Sequence, residues 1–553
     1  MPVMTGSQLL AETLKGYGID HVFFVPGIAY RALADMEELG ITRVLNHSEI
    51  GAAYMADGYA RAARKPGVCM GQAVGAANLA AGLRDAYLAG SPVIAIAGGP
   101  DPGSRYRHSY QLIEDFTMFD PVTKFNARVE RLERFPDLLR QAFRSATTGT
   151  PAPVHLELSR RGGQVIEGNA DLELALEEQF GSYPAYRPEP DMGAVQEAAR
   201  ILAEAERPVI MAGGGVATSD AASELVALAE RLSIPVVTSL NGKGSIPDDH
   251  PLSVGVVGRY SRMCANQLVL EADLVFFVGS RAGGATTMDC KVPRQGTTVI
   301  QLDIDPEEIG RNYPVRVALV GDVRVTLQRL VEVAAQAPER TAWVERAQQL
   351  LRQWRAEMAP TVNSEAVPIR PERLCREITE ALPPEAVVVA DTGHAAHWGA
   401  MFIELKSPNQ RYIRCAGTLG WAFPGSLGVK CALPDRPVLC FIGDGGFDYH
   451  SAELETALRM GLNTVTVVNN NYALSHPKRN VDEAYGGPNR GRSHETWRYG
   501  HTNFAVLAEA RGCLGIRVER PGELRAALER GFAADRPVVI DVVTDVDAIA
   551  MPA

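Results

Sequence analysis

The chain has 553 residues, 46% of them hydrophobic, too many for one ordinary domain and enough for several cores. Its 55 basic and 66 acidic residues give a formal net charge of −11, so nothing draws it to nucleic acid or anionic lipid. No stretch reaches the ~20 apolar residues of a spanning helix, the first basic residue is Lys15, and eight cysteines stand singly without a C-x-x-C pair; we expect a cytoplasmic protein with reduced thiols and no zinc site.

In chain order, apolar runs at residues 21–26, 92–97, 208–212, 234–239, 274–279, 298–302, 386–390, 438–442, 464–468 and 538–543 alternate with amphipathic, Ala- and Leu-rich stretches. That alternation is the pattern of parallel α/β sheets. Proline-rich polar segments at 181–191 (GSYPAYRPEPD) and 359–371 (APTVNSEAVPIRP) read as linkers. We therefore expect three doubly wound parallel-sheet domains, at 1–180, 192–340 and 365–553. The middle one is Rossmann-like, and the outer two are candidates for one architecture used twice.

The most informative stretch is PVLCFIGDGGFDYHSAELETALRMGLNTVTVVNNNYALSH, residues 437–476. It reads strand, glycine turn, helix, strand, asparagine cluster. Gly443, Gly445 and Gly446 surround Asp444, so backbone N–H groups can approach a diphosphate while the carboxylate faces a cation. In a parallel sheet both strands open on one crevice, and Asp444 and Asn471, 27 positions apart, can meet at one hard cation such as magnesium. Either piece alone is commonly a plain turn or loop opening; together they are specific. A Walker-type loop does not fit, because GDGGFDYHS has no Lys-Ser/Thr after its glycines.

GDG followed by a helix, a strand and paired asparagines resembles the thiamine diphosphate signature of the 2-oxo acid decarboxylase and acetolactate synthase superfamily, and the likeness covers nearly the whole chain. The resemblance implies an N-terminal pyrimidine-binding domain and a C-terminal diphosphate-binding domain. It implies magnesium held by Asp444, Asn471 and the carbonyl of Ala473, with Gly445 and Gly446 against the diphosphate. The segment at 44–99 is similar to the family's N-terminal block, E-x-x-A-x-x-x-A-D-G-Y-A-R. That makes Glu49 the carboxyl group that activates the cofactor at its aminopyrimidine. Small residues Ala52, Ala53, Ala56 and Ala60 place Glu49 near a buried helix end; by itself, a glutamate there is only a favourable dipole partner. Leu419, 25 residues before Asp444, resembles the family's side chain beneath the bent cofactor. ADTGHAAHW, 390–398, looks like its second diphosphate turn, with His394 and Ala395 as contacts, whereas His397 reads equally as a core histidine.

In the middle third, strands lead into the glycines of RPVIMAGGGV (207–216) and into Asp303 and Asp305, but no G-x-G-x-x-G fingerprint is present. Where flavin-binding relatives carry an R-F-D-D-R type run, this chain has GSRAGGATT (279–287), which argues against FAD and against authentic acetolactate synthesis. A purely structural middle domain is the simpler reading.

Facing the substrate, Ile28 and Ala29 of FFVPGIAYRAL are expected as an apolar wall and Gln72 and Gln111 as polar lining. His476 stands five residues past Asn471, able to donate a proton or hold a carboxylate, or simply facing solvent. Pro477 replaces the family's decarboxylase glutamate. The resemblance then implies a carboligase or lyase acting on a small carbonyl substrate, with decarboxylation of a bulkier 2-oxo acid as the alternative. It also implies a homo-oligomer, at least a dimer and up to a tetramer, in which Glu49 and Asp444 of different subunits share one cofactor. A non-catalytic nucleotide-binding protein would have lost Glu49, Asp444 or Asn471; a nicotinamide oxidoreductase would carry the missing fingerprint.

Overall fold

The computed structural model describes residues 3–111, 113–335, 340–548 and 550. Three six-stranded sheets, each parallel throughout, carry the chain. The first runs, in spatial order, Thr42–Leu45, His21–Phe24, Gly67–Gly71, Val93–Gly98, Val154–Leu158 and Phe125–Val129. The third runs Arg411–Arg414, Val387–Ala390, Val438–Gly443, Val465–Asn470, Val538–Val543 and Leu514–Val518. Numbered by sequence, both read 2-1-3-4-6-5, so the outer domains do share one winding. The middle sheet runs Ser253–Val256, Val236–Thr238, Pro208–Ala212, Leu274–Val278, Thr298–Asp303 and Val317–Val320. Its order, 3-2-1-4-5-6, is that of a dinucleotide-type Rossmann sheet.

Central strands such as VIAIAG and PVIMA are buried along their whole length, as sheets covered on both faces require. All ten expected runs form strands. The other parallel strands escaped because several are half-buried edges with charged or polar residues, such as TRVL, FNARV and RYIR. The second linker starts later than its prolines suggest. Helix Thr341–Val362 runs through Ala359 with Pro360 in its last turn, and Asn363 N–H still reaches the Ala359 carbonyl at 3.0 Å. No helix among the described residues is long and apolar enough to cross a membrane.

The outer domains dock through helices Glu49–Ala63 and Ala422–Ala432. Ser48 caps the first, its Oγ accepting the Gly51 N–H at 2.9 Å. The helices touch at backbone level: a Cβ on Gly58 would lie 2.1 Å from the Gly425 carbonyl oxygen, and one on Gly428 would lie 1.9 Å from that of Met55. Only glycine allows this approach.

Candidate active site

Strand Val438–Gly443 delivers Asp444 to the start of a short helix, and Val465–Asn470 runs parallel beside it with Gly443 opposite Asn469. Both strands therefore end on the same side. The chain then turns back: Asp444 accepts the Ala473 N–H at 2.9 Å and the Gly445 N–H at 2.8 Å. Asp444 is 5% exposed, with no ion-pair partner among the described residues. Burial pushes its carboxyl up to about 7 despite those donors. A desolvated carboxylate with amide and carbonyl oxygens nearby fits a hard divalent cation.

Two of the three asparagines, Asn470 and Asn471, part ways here. Asn470 is committed to the fold, donating to Asp541 at 2.8 Å and to the Thr502 carbonyl at 3.0 Å. Asn471 instead donates to Ser475 Oγ at 2.9 Å, and its own Oδ1 accepts no hydrogen bond among the described residues. Ser475 Oγ also lies 3.0 Å from Nδ1 of His394, at the start of helix Gly393–Phe402, with Ala395 buried behind it. The Asn471 loop and the His394 turn thus meet through one hydroxyl, across 81 residues from His394 to Ser475.

His394 belongs to a triangle with His397 and His476, ring centroids 5.4, 5.5 and 5.9 Å apart. His476 is exposed at the mouth; His397 lies buried at the floor, edge-on to Tyr260 at 4.2 Å. Burial, helped by neighbouring imidazoles, pushes His394 down to about 4 and His397 to about 3; it also lowers His476. His397 Nδ1 is buried without a partner among the described residues, so it is not a satisfied core histidine.

Leu419, half-buried, sits in a loop held from both sides. Asp85, on helix Ala76–Ala89, accepts the N–H groups of Ala416, Gly417 and Thr418 at 2.7, 3.1 and 3.0 Å. Asp391 accepts the Gly420 N–H at 2.9 Å and is pushed up to about 7 by burial. Sequence reasoning missed both carboxylates. Asp391 was signalled by its place in ADTG directly before His394, whereas Asp85 lies in an unremarkable amphipathic helix. The signature glycines are required by this packing: a Cβ on Gly446 would lie 2.5 Å from Asp391 Oδ2, and one on Gly445 would lie 2.7 Å from Leu474.

Glu49 opens its helix and is 8% exposed. Asn78 donates to it at 3.1 Å, and a Cβ on Gly75 would lie 2.1 Å from Oε1, so the carboxylate rests in a glycine-floored cleft. Among the described residues no hydrogen bond joins this group to the Asp444 group. Val74, beside Glu49, is exposed, as are Tyr449 and Tyr499 near Asp444.

Gln72 packs against the PGIA turn, its Oε1 3.0 Å from where a Gly27 Cβ would be. Ile28 and Ala29 do not form the expected wall in the single chain. Both are fully buried in the N-terminal core, and Ala29 N–H is tied to the Gly162 carbonyl at 2.9 Å. Gln111 follows the turns of residues 105–110 and adopts the left-handed conformation, φ 61°.

Comparison with known proteins agrees with this arrangement. Residues 4–118, 195–330 and 391–542 match the models for the N-terminal binding domain, the central domain and the C-terminal binding domain of thiamine pyrophosphate enzymes. The chain belongs to this family, on the side that contains the acetolactate synthase large subunits. It is 33% identical to a probable acetolactate synthase large subunit of Methanocaldococcus jannaschii, over 99% of this chain and 93% of that one. It is 31% identical to the acetolactate synthase large subunit of Corynebacterium glutamicum, over 99% and 88%, and 30% identical to the isozyme 3 large subunit of Escherichia coli, over 99% and 96%.

Proposed function

We propose that the protein is a thiamine diphosphate- and magnesium-dependent carboligase or lyase of the acetolactate-synthase-like kind, acting on a 2-oxo acid or 2-hydroxy ketone. The observation that carries this reading is Asp444: a buried carboxylate with no cationic side chain paired to it among the described residues, tied to the Ala473 turn, beside an asparagine whose carbonyl oxygen accepts no hydrogen bond among them. Asp444, Asn471 and the Ala473 carbonyl would hold the metal, and the glycine turn and His394 would meet the diphosphate. When bound, thiamine diphosphate supplies a carbon nucleophile for a carbonyl carbon.

The chain's own residues then have distinct tasks. Glu49, fixed by Asn78, holds or moves a proton at its Oε atoms. The loop clamped by Asp85 and Asp391 presents Leu419 as a rigid wedge. His397, kept neutral by burial, is placed to orient a polar substrate, and exposed His476 to orient it or relay a proton from solvent. Exposed Val74, Tyr449 and Tyr499 flank two groups that do not meet within one chain, which supports a homodimer, or a tetramer built from it, whose subunits exchange Glu49 and Asp444 across the cofactor. Cytoplasmic residence remains part of this proposal.

Near-ultraviolet circular dichroism during thiamine diphosphate titration, with and without magnesium, tests the cofactor assignment; metal-dependent uptake is expected. A panel of 2-oxo acids with and without an aldehyde acceptor, followed for carbon dioxide and product, tests the reaction. The exposed His476 imidazole favours a second outcome, decarboxylation of a bulkier 2-oxo acid, because it can relay a solvent proton to a product instead of waiting for an acceptor. Aldehyde release without ligation in that assay selects it.

A further inference from the structure

A cavity of about 510 Å³ lies where the three domains meet, and none of the candidate site residues lines it. The N-terminal domain contributes Arg61 and Arg64 from the end of the helix that Glu49 begins. The middle domain contributes Lys243, and the C-terminal domain Arg411, Arg414 and Arg436. Against these six cations the lining holds one carboxylate, Asp220.

Three of the cations are neutralised locally: Arg61 by Asp57 and Asp85, Arg64 by Asp220, Lys243 by Asp248. The other three form no salt bridge among the described residues. Arg411 donates to the carbonyls of Ala62 and Arg61 at 3.1 and 3.4 Å, and Arg436 donates to those of Glu385 and Asn409. Arg414 Nε is buried with no hydrogen-bond partner among the described residues. Burial and the nearby charges of Arg64 and Arg436 lower the Arg411 pKa, and Arg436 is also lowered by burial. Carbonyl oxygens satisfy hydrogen bonds but supply no net charge, so positive potential accumulates in a partly desolvated space.

We propose that this cavity binds a small phosphate-bearing anion, a nucleoside diphosphate or inorganic pyrophosphate, with Arg411, Arg414 and Arg436 as its guanidinium ligands. The volume is in the range of small-molecule pockets, and planar guanidinium forks match phosphate oxygens in pairs. The site is separate from the proposed cofactor site and does not depend on that reading.

Isothermal titration of the full chain, with thiamine diphosphate and magnesium present at saturation, separates the two sources of phosphate. ADP, pyrophosphate and adenosine are titrated in parallel. Binding of ADP or pyrophosphate without binding of adenosine is expected, and Arg414→Gln and Arg436→Gln should each weaken it at least roughly tenfold. Arg411→Gln is a poorer probe, since it also uncaps the helix end. Asp303→Ala, in the crevice of the middle sheet, should leave the affinity unchanged. The proposal fails if neither phosphate ligand binds, if adenosine binds equally, or if both arginine variants keep the parental melting temperature and affinity.

Discussion

Asp85 and Thr418 belong to different domains, yet the carboxylate of the first accepts the backbone N–H of the second at 3.0 Å, along with those of Ala416 and Gly417. The loop that presents Leu419 is therefore shaped by the N-terminal domain. Asp85→Asn would turn an amide donor toward N–H groups and leave Arg61 short of one counter-charge. Destabilisation of about 2–4 kcal/mol is expected in urea unfolding. Weaker thiamine diphosphate binding should accompany it at temperatures where the variant is fully folded.

Asp444→Ala removes the only carboxylate of the proposed metal site. Magnesium-dependent cofactor uptake should disappear while the melting temperature of the cofactor-free protein stays level or rises, because an uncompensated buried carboxylate is relieved. Parental uptake by this variant would remove the metal assignment.

Glu49→Gln keeps the shape of the side chain in its cleft but not its ability to exchange a proton. Cofactor binding should persist, with turnover lowered by at least roughly 100-fold. A loss confined to binding would instead mark Glu49 as a structural contact.

Asp391 gives a pH signature. Its folded-state carboxyl is pushed from 3.8 up to about 7, so the folded chain holds this proton more tightly than the unfolded chain. The contribution to stability is full below pH 3.8 and is lost as pH rises toward 7. Asp391→Asn should flatten the decline of cofactor-free stability across that window, by no more than about 1.4 kcal/mol per pH unit. An unchanged slope would show that another group carries it.

Gly428→Ala places a methyl group 1.9 Å from the Met55 carbonyl oxygen. A loss of about 3 kcal/mol is expected, measured by calorimetry. An alanine at Gly461, where no atom lies within 4 Å but φ is +63°, serves as a control for backbone strain alone.

Much of this was legible in the sequence. Doubly buried strands announce themselves as apolar runs, and GDGG with the asparagine cluster marks where two of them open together. Edge strands such as RYIR do not, because half their side chains face water and charge breaks the run. The Asp85 clamp was invisible for another reason: its partners are backbone amides some 330 residues away, and no side-chain pattern encodes that pairing. The triangle of His394, His397 and His476 needed the fold as well, since the distance between residues 397 and 476 is closed only because strands Val387–Ala390 and Val465–Asn470, one strand apart, end on the same side of the sheet. Ile28 and Ala29 show the reverse case: a turn that looks open in sequence is covered, within one chain, by the Gly162 segment.

The glycine contacts between helices Glu49–Ala63 and Ala422–Ala432 have a mechanical consequence. Two rods whose glycines lie against the partner's backbone with no room for a methyl group are closely seated on each other. The two outer thirds of the chain are therefore built to travel as a single block, which leaves surface segments rather than hinged jaws as the natural place for reactant traffic to be governed.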